Sequence, residues 1–220
     1  MPGMLISVHV PKCAGTSFRH VLHGICGDDI WYNYGTIFSR EQAKLELVPD
    51  GTRIIHGHFL ADSFDDIIPE RELITWVRDP VERLVSNYHH FLRAPDMRDD
   101  CCRALHERNL SLRQFADLDW MRNMATRYLA NKPVDDFRFV GIAEQFDTSM
   151  RLFERTFGFP VPGGVLPRVN TNPDRKADRY RITWSDHDYI LERNADDMSW
   201  YKEALERLHE SQLVRASRVA

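Results

Sequence analysis

A short stretch near the amino terminus has the residue types of an anion-binding loop. It reads HVPKCAGTS over residues 9–17, between an apolar β-branched run and a helical pattern. A helix N-terminus offers unpaired N–H donors and partial positive charge, which suit phosphate or sulfate. Lys12 adds a full charge, and Gly15 lets the backbone approach an anion closely. The hydroxyls of Thr16 and Ser17 add donors, although an ordinary strand–helix turn with a solvated lysine is the alternative.

A second segment places an arginine at the end of another apolar run. Arg78 directly follows the apolar run of residues 73–77. At such a position a guanidinium can bind a phosphate through two of its N–H groups. Asp79 and Pro80 begin a helix, and Ser86 lies about two turns into it. Taken alone, the segment is equally consistent with a capped helix start in which Arg78 pairs with an acid.

Two histidines follow a third apolar run, in the sequence His56-Gly57-His58. Histidine suits proton transfer because its ordinary pKa is close to neutral pH, so the pair could act as a base and its helper. A metal pair and two structural histidines are the alternatives. A metal is the weaker of these, because no third ligand is evident.

Strand patterns alternate with helix patterns along the chain, and this order indicates how the three segments are brought together. The predicted strands are Leu5–Val10, Arg53–Phe59, Leu73–Val77 and Phe137–Ile142. Such alternation predicts a parallel sheet with helices on both faces, in which ligands bind beyond the carboxyl ends of the strands. Lys12, His58 and Arg78 should therefore lie on one rim of the sheet.

The remaining elements are predicted from periodicity and composition. A helix begins at Asp79, a second spans residues 111–130, a third runs from Phe146 to a stop at Gly158, and a fourth lies near the carboxyl terminus. Residues 95–110 and 159–181 are polar or rich in proline and glycine, and we expect loops there that shape an acceptor site.

Composition excludes several classes of protein. The chain has 220 residues, with 43% hydrophobic and 28% charged, which predicts a single domain over residues 1–220. A net charge of −4 gives no global basic field for nucleic acid. No apolar run is long enough to span a bilayer, and the amino terminus lacks the pattern of a signal peptide, so we expect a cytoplasmic protein. The four cysteines include no CxxC pair, which favours free thiols over a zinc site or disulfides.

Together, HVPKCAGTS and RDPVERLVSNY resemble the two phosphate-binding segments of the sulfotransferases that use 3′-phosphoadenosine 5′-phosphosulfate (PAPS). They are most similar in pattern to the branch containing heparan sulfate 2-O-sulfotransferase and many bacterial relatives, whose segments read HIPKTAGTS and RDPxERxxSxY. Cys13 stands where that family often has threonine. Weaker similarities at Asn123, residues 127–129, 140–144 and 169–171 extend the resemblance over nearly the whole chain.

The resemblance implies a sulfotransferase fold, a P-loop-like parallel sheet flanked by helices on both faces. It implies transfer of a sulfuryl group from PAPS to an acceptor hydroxyl, which leaves 3′-phosphoadenosine 5′-phosphate (PAP), with no metal required. Lys12 would stabilise the leaving oxygen, and His58 would be the base with His56 as helper or alternate. The residues implied to contact the donor are Lys12, Cys13, Ala14, Gly15, Thr16, Ser17, Arg78, Ser86 and Asn170.

Two other functions stay open on the residues alone. A P-loop kinase would need lysine directly before Ser/Thr and an acidic metal ligand at a strand end, whereas Lys12 precedes the glycine of the loop. A non-catalytic module would bind the nucleotide and transfer nothing. The acceptor is equally open between a small alcohol, a lipid head group and a glycan.

Overall fold

The computed structural model describes residues 3–34, 47–159 and 180–219, with side chains as far as residue 213. Strand β1 lies at the centre of a parallel sheet whose order, in the described residues, is β2-β3-β1-β4-β5. The strands are Met4–Val8 (β1), Ile30–Asn33 (β2), Ile54–Gly57 (β3), Arg71–Val77 (β4) and Phe137–Ile142 (β5). Helices flank this sheet, which confirms the predicted α/β class.

Eight α-helices occur in the described part of the chain. They are Gly15–Cys26 (α1), Pro80–Arg93 (α2), Asp100–Glu107 (α3), Leu112–Ala116 (α4), Met124–Tyr128 (α5), Phe146–Phe157 (α6), Trp184–Arg193 (α7) and Ala195–Val219 (α8). Short 3₁₀ turns lie at Asp119–Met121, Val134–Asp136 and Ala143–Gln145. None of the described helices is both long and apolar enough to cross a membrane.

The apolar run in β4 is buried in the way expected of a strand inside a parallel sheet. Residues 73–77 are all buried, because a strand between two parallel neighbours is covered on both faces. Thr75 is the polar member of this run, and its hydroxyl donates to the carbonyl of Val8 at 2.9 Å. The strand thereby brings Val77, and Arg78 after it, to the carboxyl edge of the sheet.

The predicted start of α2 is confirmed by its cap. The carboxylate of Asp79 accepts hydrogen bonds from the N–H groups of Val81 at 2.9 Å and Glu82 at 3.1 Å, and Pro80 is the first helical residue. Such a cap satisfies donors that a helix leaves unpaired at its N-terminus. The helix therefore has a fixed origin immediately after Arg78.

The prediction of a loop over residues 95–110 is wrong. Asp99 caps α3 by accepting a hydrogen bond from the N–H of Cys102 at 2.9 Å, and the helix buries Cys101, Cys102 and Leu105. Most of the charged residues that suggested a loop are exposed, either on this helix or in the residues that flank it.

A continuous helix over residues 111–130 is also wrong. The segment divides into α4, a 3₁₀ turn and α5, with Asn123 in the left-handed region at φ 45° before α5. The buried carboxylate of Asp197 accepts the N–H groups of Ala125 and Thr126 at 3.0 and 2.8 Å. A side chain from α8 thus caps α5, so a distant part of the sequence sets this boundary.

Candidate active site

The loop that joins β1 to α1 has a backbone suited to a small anion. Lys12 and Ala14 lie in the left-handed region, with φ values of 68° and 59°. Alternation of right- and left-handed residues turns successive N–H groups into one concavity that can hold an anion. α1 begins at Gly15 with no cap from any side chain that the structure describes, so the positive end of its dipole faces the loop.

Lys12 lies in a positive region that it shares with Arg78. Burial lowers the pKa of the Lys12 ammonium to about 8, and Arg78 and Arg93 act in the same direction. Like charges depress a lysine pKa in this way only when they lie close to it. Lys12 and Arg78 follow the neighbouring parallel strands β1 and β4, in which Val8 is paired with Thr75, so both residues come after the carboxyl ends of adjacent strands.

The other residues of the loop differ in what they can offer a ligand. Cys13 is fully buried, and its N–H already donates to the carbonyl of Val10 at 3.3 Å. The N–H of Cys13, one of the residues implied to contact the donor, is therefore engaged within the loop. Thr16 and Ser17 lie in the first turn of α1, where Thr16 is half-buried and Ser17 buried.

Gly15 is required by a neighbouring histidine. An ideal Cβ at this position would lie 1.9 Å from Nε2 of His9. The imidazole of His9 thus occupies the space that a side chain would need, and this contact explains the glycine without reference to an anion.

We expect Gly15→Ala to destabilise the fold by about 1–3 kcal/mol, because an extra methyl forces His9 or the loop to move. Urea denaturation measures the free energy of unfolding. Thr16→Ala in the same loop adds no atoms and is the matched control. A Gly15→Ala protein as stable as the wild type would contradict this account of the contact.

Arg78 is held between two carboxylates. Its Nη2 donates to Oε2 of Glu82 at 3.2 Å, and its Nε lies 3.6 Å from Oε1 of Glu144. Glu144 also accepts the N–H of Asp79 at 3.2 Å and the hydroxyl of Tyr201 at 3.3 Å. Burial raises the pKa of Glu144. The pairing of Arg78 with acids, one reading of the sequence, is therefore present, and these acids fix the direction of its guanidinium.

The two other residues predicted to hold the donor have different positions. Ser86 lies on the buried face of α2, two turns after Arg78, and is 7% exposed. Among the described residues, none forms a hydrogen bond with its hydroxyl, which leaves the hydroxyl available to a ligand. Asn170 lies outside the described residues.

Three histidines at the carboxyl ends of β1 and β3 form a cluster at the same edge of the sheet. The ring of His9 stacks on His56 with centroids 5.3 Å apart, and it lies 4.6 Å from the ring of His58. Nδ1 of His56 shares a hydrogen bond of 2.8 Å with the hydroxyl of Ser7. The hydroxyl of Tyr34 lies 3.2 Å from Nδ1 of His9, and the Tyr34 ring is 4.9 Å from His58.

The cluster is neutral at physiological pH and has unused hydrogen-bonding groups. Burial lowers the pKa of His56 to about 3 and that of His58 to about 4, with charge on His58 a further cause for His56. Burial also lowers the pKa of His9 well below its usual value. Nε2 of His56 and Nε2 of His58 are buried without a hydrogen-bond partner in the described part of the chain. Unpaired buried nitrogens of this kind favour a ligand hydroxyl nearby.

The edge strand β2 holds the histidine motif in place. An ideal Cβ at Gly57 would lie 1.5 Å from the carbonyl oxygen of Asn33, and that oxygen accepts the N–H of His58 at 2.9 Å. Only glycine lets the two backbones approach so closely. The position of His58 thus depends on the pairing of β3 with β2.

The chain matches the Sulfotransferase family over residues 4–211, which is most of its length. This chain belongs to the sulfotransferase family. The matched region contains the anion loop, Arg78 and the histidine cluster, so each predicted segment lies inside the family domain.

Two solved structures are similar to this sulfotransferase family member. The crystal structure of mouse sulfotransferase SULT7A1 complexed with PAP matches with 16% identity and a TM-score of 0.45, covering 73% of this chain and 61% of the mouse chain. That of a sulfotransferase from Alicyclobacillus acidocaldarius matches with 16% identity and a TM-score of 0.43, covering 96% of this chain and 95% of the other. The chain therefore spans less than two thirds of the mouse protein. No curated protein matches it.

Sequence reasoning did not assign roles to several residues of this sulfotransferase family member. Ser7 pairs in register with His56 across β1 and β3, so His9 and His58, two residues further along, fall on the same face. Period-two alternation could have identified His9. Tyr34 carried no such signal, and Glu144 was included only as part of the similarity over residues 140–144. The described residues contain no group of three or more His, Cys, Asp or Glu side chains that could hold a metal ion.

Proposed function

We propose that the protein transfers a sulfuryl group from PAPS to an acceptor hydroxyl, leaving PAP and a sulfate ester. The observation that carries the proposal is the position of Lys12 and Arg78 after the carboxyl ends of β1 and β4, which are parallel neighbours in the sheet. Lys12 and Arg78 give this edge of the sheet two positive groups, although Arg78 already pairs with Glu82 and Glu144. A donor with a phosphosulfate at one end and a ribose phosphate at the other supplies negative charge to both.

The residues fit such a donor in two places. The concave loop at Lys12 and Ala14, with the N-terminus of α1, would hold the 5′-phosphosulfate. Arg78 and the hydroxyl of Ser86, which has no hydrogen-bond partner among the described residues, would hold the 3′-phosphate. Glu82 and Glu144 would orient Arg78 for that contact. The activated sulfuryl group is what the bound donor supplies to the reaction.

The side chains have separate tasks in the transfer. Lys12 would stabilise the negative charge that develops on the bridging oxygen as its bond to sulfur breaks. His58 would take the proton of the acceptor hydroxyl as the new oxygen–sulfur bond forms. His56, bonded to Ser7 and almost unexposed, is better placed as a helper that fixes the cluster than as the base.

The acceptor would approach beside Tyr34. This ring is 38% exposed and lies 4.9 Å from His58, so it forms the solvent-facing border of the histidine cluster. A glycan hydroxyl or the hydroxyl of a small molecule would meet Nε2 of His58 there. A panel of sugars, phenols and lipid head groups with labelled PAPS would identify the class.

A comparison of ligands tests the proposed donor. PAP should raise the melting temperature of the protein, whereas ATP with Mg²⁺ should have a much smaller effect, because the loop lacks the lysine spacing of a kinase. Sulfate transfer from labelled PAPS to at least one acceptor of the panel separates an enzyme from a nucleotide-binding module. A larger stabilisation by ATP with Mg²⁺ than by PAP would contradict the proposal.

Arg78→Ala should weaken PAP binding about tenfold to a hundredfold, because charge-assisted hydrogen bonds to a phosphate are lost. The turnover number at saturating PAPS should change much less, since Arg78 positions the donor away from the breaking bond. Calorimetry gives the Kd for PAP, and steady-state kinetics give kcat.

Arg138→Ala is the matched control, because the Arg138 side chain is 57% exposed and lies 3.8 Å from Glu72 on the sheet. An unchanged Kd for PAP in Arg78→Ala would contradict the assignment of the 3′-phosphate to this arginine.

A further inference from the structure

His9 joins the anion loop to the other two histidines of the cluster. It directly follows β1, and its N–H donates to the carbonyl of Gly57 at 2.8 Å, which ties it to β3. Its ring stacks on His56 with centroids 5.3 Å apart and lies 4.6 Å from the ring of His58. Its Nε2 occupies the space of an ideal Cβ at Gly15. His9 therefore contacts both the first residue of α1 and the base proposed for the acceptor.

The two ring nitrogens of His9 have different surroundings. Nδ1 lies 3.2 Å from the hydroxyl of Tyr34, which is a hydrogen-bonding distance. Nε2 is the nitrogen beside Gly15, and it forms no hydrogen bond with any residue that the structure describes. Burial lowers the pKa of His9 well below its usual value, so the ring is neutral at physiological pH. A neutral imidazole carries one hydrogen, so one nitrogen donates and the other accepts.

The hydroxyl of Tyr34 determines which nitrogen of His9 carries the hydrogen. Burial raises the pKa of Tyr34 to about 12, so the phenol keeps its hydrogen. The guanidinium of Arg19 forms a hydrogen bond with the same hydroxyl, and a guanidinium can only donate. A hydroxyl that accepts from Arg19 is polarised to donate its own hydrogen to Nδ1. The hydrogen of the ring then lies on Nε2, next to the loop.

One part of the donor has no partner in the assignments made so far. Lys12 is assigned to the bridging oxygen and His58 to the proton of the acceptor, which leaves the outer oxygens of the sulfuryl group. These oxygens carry negative charge and only accept hydrogen bonds. A neutral N–H held beside the loop suits them, because a donor that is fixed in advance needs no reorganisation during the reaction.

We propose that His9 is a further catalytic residue, which donates a hydrogen bond from Nε2 to the sulfuryl group as this group passes from the donor to the acceptor. The inference rests on the proposed function, since it requires a sulfated donor in the loop. In the transfer the bond from sulfur to the bridging oxygen breaks, and the bridging oxygen keeps the electron pair. The acceptor oxygen bonds to sulfur, and its proton goes to His58. His9 keeps its own hydrogen throughout.

The test compares His9→Asn with His9→Gln. Both substitutions remove the ring and its stacking on His56, but glutamine can offer an N–H near the position of Nε2, whereas asparagine reaches only as far as Nδ1. In His9→Asn, kcat at saturating PAPS should fall about a hundredfold to a thousandfold, the range for loss of one preorganised donor. In His9→Gln the loss should be less than about tenfold.

Binding of the two nucleotides gives a readout that does not depend on turnover. The Kd for PAPS should rise about threefold to tenfold in His9→Asn, because one hydrogen bond to the sulfuryl group is lost. The Kd for PAP should stay close to the wild-type value, since PAP lacks that group. Calorimetry measures both values.

Tyr34→Phe tests the role of the hydroxyl while keeping the ring. It should lower kcat about tenfold without changing the Kd for PAP, because Nδ1 loses the partner that places the hydrogen on Nε2. Tyr32→Phe on β2 is the matched control, since the Tyr32 hydroxyl forms no hydrogen bond with any described residue. It should leave kcat unchanged.

The outcomes separate this inference from the proposed function. Equal losses of kcat in His9→Asn and His9→Gln, or equal rises in the Kd for PAPS and PAP, would overturn this inference alone, because they would show that the ring has only a structural role. Where neither His9 variant folds, a wild-type kcat of Tyr34→Phe would overturn the inference, and a loss confined to Tyr34→Phe would support it. Absence of PAP binding and of sulfuryl transfer in the wild type would contradict the proposed function as well.

Discussion

Replacing Lys12 with methionine should lower kcat by about a hundredfold to a thousandfold, the range seen when one preorganised donor to a developing oxyanion is lost. The physical reason is that the ammonium would interact most strongly with the bridging oxygen after its bond to sulfur has begun to break. The affinity for PAP, which lacks the sulfuryl group, should fall less than kcat. Single-turnover transfer from labelled PAPS measures the chemical step directly.

The control for Lys12 is Lys202→Met on α8, an exposed lysine whose loss should leave kcat unchanged. Near wild-type turnover of Lys12→Met at saturating PAPS would show that the leaving oxygen is stabilised elsewhere.

The lowered pKa of Lys12 adds a pH dependence. The ammonium is the active form, and its pKa in the free protein is about 8, so kcat/KM for PAPS should decline above pH 8. Lys12→Arg keeps its charge to much higher pH and should remove this decline, even where its geometry lowers the rate overall.

His58→Ala should lower kcat by about a hundredfold to ten-thousandfold, because the acceptor hydroxyl would lose its proton acceptor. The Kd for PAP should stay close to the wild-type value, since His58 would contact the acceptor and not the donor. This separation of kcat from donor affinity distinguishes a base from a residue that only supports the fold.

Two variants accompany His58→Ala. His23→Ala removes an exposed histidine of α1 and should change neither quantity. His56→Ala should reduce the free energy of unfolding as well as kcat, because it breaks the hydrogen bond to Ser7. A larger loss of kcat in His56→Ala than in His58→Ala would reassign the base to His56.

The acid limb of the pH profile is a further test of His58. Burial lowers its pKa from 6.5 to about 4, so the ring stays neutral and able to accept a proton down to that pH. We expect kcat/KM for the acceptor to be level from pH 7 towards pH 5. A decline centred near pH 6.5 would indicate a solvated histidine as the base.

The order of the main elements could be predicted from local signals. The apolar run of β4, the Asp79-Pro80 cap of α2 and the stop of α6 at Gly158 each depend on neighbouring residues alone. The division of residues 111–130 could not be predicted, because the carboxylate that caps α5 comes from Asp197 on α8. The helix at 100–107 was hidden by the charged residues on it and beside it.

The site could be predicted in part for the same physical reason. Parallel strands end at one edge of a sheet, so the sequence pattern predicts that Lys12 and Arg78 lie at the same edge. The pairing of Arg78 with an acid could be anticipated, but its contact with Glu144 could not, because Glu144 follows β5, far along the chain. β2 has only four residues and carried no clear pattern, so the partner of the histidine strand was missed as well.

The contact between Gly57 and Asn33 limits which sequences this family member can explore. A saturation library at position 57, screened for folded protein, should return glycine almost alone, while position 34 should tolerate many replacements. Changes in acceptor preference would then arise by substitution of Tyr34. The spacing between His56 and His58 would stay constant. Gly57, the middle residue of His56-Gly57-His58, would then be preserved by its close contact with the backbone of β2 and not by the reaction.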